Sequence, residues 1–183
     1  MHRLLVVLVV CLVPACSNSD SSSNTTLGPA ETSSPVVGEP ESTQTFTDLE
    51  RTHLDTPVDY PQTPPVGGPH TAVWQSCAVY DVDFPKERGV HSMEHGAVWI
   101  TYTAGLPEAD IAVLKSLAES GKEVLVSPFT GLPTPVVATA WGKQLQLDSV
   151  SDPRLAQFVT MFDDGPQTPE VNTPCAGGIS ETD

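Results

Sequence analysis

The composition of the chain breaks at Cys16, and that break confines any fold to the residues beyond it. Met1-His2-Arg3 is a short basic start, and Leu4 to Val13 is an unbroken apolar run. That run is far shorter than the ~20 residues a membrane-spanning helix needs. A basic start followed by a short apolar run predicts a secretory signal over residues 1–15. Beyond Cys16 the chain reads Ser-Asn-Ser-Asp-Ser-Ser-Ser-Asn-Thr-Thr and continues rich in Ser, Thr, Pro and Glu. Such a segment buries too little apolar surface to offset the entropy of ordering it. Residues 16–46 are therefore expected to be a tether. Residues 47–178 remain for a single globular domain, and roughly 130 residues support one sizeable core but not two. Residues 179–183 form a short tail.

Val13-Pro14-Ala15-Cys16, at the edge of the apolar run, resembles a bacterial lipobox. The resemblance implies that Cys16 is acylated and becomes the new N-terminus. The protein would then be held on the extracytoplasmic face of the cell membrane, at ~0.8 kcal/mol per buried methylene of its lipid chains. The alternative is a secreted protein without an anchor. Loss of the leader removes Arg3 and takes the formal charge from −15 to −16. A surface this acidic repels nucleic acid and anionic lipid, so no nucleic-acid partner is expected.

Cys11 leaves with the leader and Cys16 is assigned to lipid, which leaves Cys77 and Cys175. In an exported, oxidising setting this pair is expected to form a disulfide. Its loop of about a hundred residues is valued at ~4–5 kcal/mol in the chain-entropy account. A soft metal site using one or both thiolates is the rival.

Within the domain, residues 48–95 are punctuated by Pro57, Pro61, Pro64, Pro65, Gly67, Gly68 and Pro69, which is loop chemistry. The later part is regular. Ala97–Tyr102 is β-branched and aromatic and predicts a strand. Pro107, with Glu108 and Asp110, opens a helix whose apolar face is Ile111, Leu114, Leu117 and Ala118, closed by Gly121. Glu123–Ser127 is a second strand. Val136–Trp141 and Gln144–Leu147 flank Gly142-Lys143 as a hairpin. Asp152-Pro153 opens a final helix with the stripe Leu155, Phe158, Val159 and Phe162. The expected fold is α/β (α+β): a compact two-layer domain in the order β-α-β-β-β-α. A small mixed sheet of about four strands carries two helices, and the Pro/Gly-rich half wraps around it. The strand–helix–strand unit predicts a parallel pair.

Four histidines lie beyond the leader: His53, His70, His91 and His95. His70 closes the rigid run Pro64-Pro65-Val66-Gly67-Gly68-Pro69. His91-Ser92-Met93-Glu94-His95 has the H-x-x-E-H spacing of inverted zinc peptidases. On a helix, His91 and His95 share a face and can hold one metal, with Glu94 as the base. The glycines at 89 and 96 leave room for only one or two helical turns. If the stretch is extended, His91, Met93 and His95 share a face instead, and two imidazoles with a thioether suit copper. Candidate metal ligands are His70, His91 and His95, and the ion would be copper or zinc. The competing reading has His91, Glu94 and His95 hydrogen-bonding the backbone of the loop-rich half. His53, near Tyr60, reads as a structural histidine, and Glu87 as a surface carboxylate. No phosphate loop, dinucleotide-binding glycine set or G-x-S-x-G elbow is present.

Tyr60-Pro61-Gln62-Thr63-Pro64-Pro65-Val66-Gly67-Gly68-Pro69-His70, then Trp74, Cys77, Tyr80 and Glu87, then Val90-His91-Ser92-Met93-Glu94-His95-Gly96, resemble domain-of-unknown-function family 3105. Ser127-Pro128, Ala140-Trp141-Gly142 and Pro174-Cys175-Ala176-Gly177-Gly178 fit its actinobacterial branch. The resemblance implies a tethered envelope protein with His70, His91, Glu94 and His95 as its polar centre. The family usually has Leu where this chain has Met93, so a thioether ligand is not a family-wide expectation. The expected role is a non-catalytic binding or interaction lipoprotein with a His-based transition-metal site. The alternatives are a metal-dependent hydrolase using Glu94 and a purely structural envelope protein.

Overall fold

The computed structural model describes residues 38–121 and 123–183. The predicted leader, Cys16 and the tether up to residue 37 lie outside the described residues. In chain order the elements are β1 (Gln44–Thr45), α1 (Lys86–Glu94), β2 (Val98–Tyr102), α2 (Glu108–Ser120), β3 (Val124–Pro128), β4 (Val136–Ala140), β5 (Lys143–Leu147) and α3 (Pro153–Phe162). The mixed α/β fold expected from the sequence is present, with five strands in the order β1-β5-β4-β2-β3. The pair β2–β3 is parallel and the other pairings are antiparallel.

Three details depart from expectation. The sheet begins at Gln44, ahead of the domain start expected at 47, because Gln44 and Thr45 pair with Gln144 and Lys143. The hairpin connection is Trp141-Gly142 rather than Gly142-Lys143, since Lys143 pairs with Ala140 inside the ladder. Gly142 takes the left-handed φ of 70° that this turn requires. The motif at 86–94 is a helix, which removes the extended alternative: Met93 is fully buried in the core and does not share a ligand face with His91 and His95.

The sheet is covered on both faces. Val98, Ile100 and Tyr102 of β2 pack with Leu114 of α2 and with Leu155, Phe158, Val159 and Phe162 of α3. Trp99 and Leu125 point the other way, into a second cluster with Val90 and Met93 of α1, Phe84 and Trp141. Asp152 caps α3 by accepting from the Arg154 N–H at 2.9 Å, with Pro153 in its first turn. Cys77 and Cys175 form a disulfide with Cα atoms 5.4 Å apart across a sequence separation of 98. Bonded to each other, the two sulfurs are not free thiolates in this arrangement. Among the described residues no helix is long and apolar enough to cross a membrane.

Candidate metal centre

Helix α1 seats on the sheet through Gly89. A Cβ there would lie 2.7 Å from Cζ3 of Trp99, so only glycine permits this approach. Ser92 fixes the helix further by donating to the Gln75 carbonyl at 2.6 Å. With the helix pinned, His91 and Glu94, three positions apart, project from one face. Both are almost fully buried, at 5% and 2% exposure.

The Pro/Gly run delivers His70. Gly67 and Gly68 have φ of 137° and 113°, which side chains rarely adopt. This path turns the Gly68 carbonyl back onto His70, whose Nδ1 donates to it at 2.8 Å. The strap at 51–54 delivers His53. The Leu54 N–H donates to the His70 carbonyl at 2.7 Å, and the His70 N–H donates to the Thr52 carbonyl at 3.0 Å. His53 and His70 are therefore set side by side by backbone pairing.

One ligand-type atom from each of His53, His70, His91 and Glu94 lies within 4.8 Å of all the others. The three imidazole centroids are 4.8–4.9 Å apart. His91 Nδ1 donates to the Thr71 carbonyl at 2.8 Å. A carbonyl only accepts, so in both His70 and His91 Nδ1 carries a proton and Nε2 is the atom left to face the group. This is the arrangement by which backbone carbonyls orient metal-binding histidines. His70 Nε2 is fully interior and lies 3.0 Å from Glu94 Oε2, within ion-pair distance, yet the contact misses hydrogen-bond geometry and leaves Nε2 without a hydrogen-bond partner. A ring nitrogen and a carboxylate oxygen this close, with no hydrogen bond between them, are two ligand-type atoms that one cation can bridge.

The electrostatics agree. His91 has its pKa lowered to about 4, first by burial and then by His70, His95 and His53, against the opposing Thr71 hydrogen bond. It is a neutral ligand near pH 7. The Glu94 carboxyl group lies 3.8 Å from Arg51 Nε and 3.9 Å from His53 Nε2. Tetrahedral zinc with bonds of ~2.0–2.1 Å places its ligand atoms ~3.3 Å apart. The half-exposed His53 ring is the member with room to close the remaining gap.

His70 and His91, expected as ligands, are brought together. His95, expected as the third, stands outside the group: its Nε2 faces Glu170 Oε2 at 3.5 Å, and its ring packs on Trp74 at 4.7 Å. Burial lowers its pKa, partly opposed by Glu170 and the Pro174 carbonyl. His53, read from sequence as structural, takes its place in the group. Glu94 lies among the ligand atoms. Glu87 accepts from the Val58 N–H at 2.8 Å and so anchors the end of the strap that carries His53.

Residues 52–177 match the family described as "Protein of unknown function (DUF3105)", and the chain belongs to that family. No curated protein and no solved structure matches it.

Proposed function

We propose that this DUF3105 protein is an extracytoplasmic lipoprotein, anchored through Cys16, whose domain binds one divalent transition-metal ion in a non-catalytic role. The ligands are His53, His70, His91 and Glu94. The observation that carries this reading is the buried His70 Nε2, which lies 3.0 Å from Glu94 Oε2 without a hydrogen bond. Imidazole and carboxylate donors suit zinc or copper(II). With both domain cysteines in a disulfide and Met93 in the core, no sulfur ligand favours copper(I). Glu94 is itself a ligand, so the group holds no further carboxylate to act as a general base, and we read the site as binding rather than hydrolytic. The disulfide supports an oxidising location.

The test is direct. The full chain, purified in detergent and stripped with a chelator, is titrated with zinc and with copper(II). One equivalent is expected to bind, and copper(II) should quench Trp74, whose ring lies 5.6 Å from that of His91. His70→Ala should weaken binding about a hundredfold or more. Equal binding by His70→Ala and His91→Ala variants would remove this cluster as the site.

A further inference from the structure

We infer that residues 50–57 form a strap that closes over the ion as it binds, with His53 the last ligand to engage and the first to leave, so that the site exchanges its ion with solvent. This deepens the metal-binding reading above and rests on it.

Burial among the four ligands is uneven. His70, His91 and Glu94 are 0%, 5% and 2% exposed, and the side chain of His53 is 47% exposed. Among the described residues, His53 is therefore the ligand through which the group meets solvent. All of residues 50–57 are exposed. Among the described residues, their backbone is held to the domain by the two bonds that pair Thr52 and Leu54 with His70, and the strap's far end is anchored by the Val58 N–H on Glu87. A cavity of about 300 Å³ separates Leu54, Asp55, Thr56 and Pro57 from Glu87 and Arg88 of α1, so that part of the strap is not packed down. Segments with few buried contacts and exposed hydrogen bonds open locally at low cost.

Two strap side chains reach the buried carboxylate, Arg51 at 3.8 Å and His53 at 3.9 Å. Arg51 is 55% exposed and its contact is long, so it holds Glu94 weakly and yields to an incoming ion. A bound ion joins His53 to three ligands that belong to the rigid domain. Opening the strap then requires breaking a metal–nitrogen bond as well as two hydrogen bonds. Ion binding and strap closure are thus one equilibrium, and a site built this way takes up and releases its ion through His53.

Amide hydrogen exchange of the full chain, with and without saturating zinc, tests this. Exchange of the Leu54 amide should slow by about tenfold or more with zinc. The Val126 amide, bonded to the Ala78 carbonyl at 3.0 Å inside the sheet region, serves as the reference for intact folding. In His53→Ala, zinc should still bind through the remaining three ligands, more weakly and with faster loss to a chelator, and Leu54 should no longer slow. Zinc binding to the parent chain with an unchanged Leu54 rate overturns the strap and leaves the metal site standing. A parent chain that binds no zinc overturns both. Slowing of Leu54 that persists in zinc-loaded His53→Ala also overturns the role given to His53.

Discussion

His91 is buried, and burial is the first reason its ring stays neutral. Its Nδ1 proton is committed to the Thr71 carbonyl, and three neighbouring imidazoles disfavour a second proton. A folded-state pKa of about 4, against 6.5 for the free side chain, means that the unfolded chain binds the proton first. Stability linked to His91 is therefore complete above about pH 6.5 and is lost as pH falls through about 4. Metal-free protein should lose on the order of 2–3 kcal/mol over that window from this residue. Urea unfolding at several pH values checks the figure, and His91→Gln should flatten that part of the profile. His95 is shifted in the same direction and adds to the slope. A profile unaffected by His91→Gln would mean that the ring is not held neutral by its surroundings.

Helix α1 carries two of the four ligands, and its seat depends on a single missing side chain. In Gly89→Ala the new methyl would meet the Trp99 ring, so helix or ring must shift. Overpacking of this kind costs about 1–3 kcal/mol. The same shift moves His91 and Glu94, so zinc affinity should fall together with the melting temperature. An unchanged zinc affinity in a folded Gly89→Ala variant would show that the site tolerates movement of α1. This helix is also the hardest element to read from the sequence. Strands β2 and β3 and helices α2 and α3 announce themselves through β-branched runs, caps and apolar stripes. In α1 every residue from Gly89 to Glu94 is buried, polar and apolar alike, so no periodic stripe marks it. His70 and His91 are legible as ligands because a rigid loop and a dense polar motif surround them. His53 is not. It sits at an exposed position in an irregular strap, and only backbone pairing with His70, distant in sequence, brings it to the site. His95 has the spacing of a ligand, but the Glu170 segment, tied by its N–H to the Glu94 carbonyl at 3.0 Å, meets it instead.

At the scale of the molecule, the disulfide ties the stretch that follows His70 to the C-terminal segment. Cys77 and Cys175 join the loop-rich half to the C-terminal segment, where the Cys175 carbonyl accepts from Trp74 Nε1 at 2.9 Å. Replacing both cysteines with serine should lower stability by about 2–4 kcal/mol, read by denaturant unfolding. The sheet and its two helical faces remain, so the double variant should still bind zinc once folded. X-ray absorption at the zinc edge of the loaded full chain reads most directly which atoms hold the ion. A nitrogen and oxygen shell at ~2.0–2.1 Å is expected, with the outer scattering of three imidazole rings and no sulfur near ~2.3 Å. A sulfur scatterer, or a water-like shell without imidazole scattering, would contradict it.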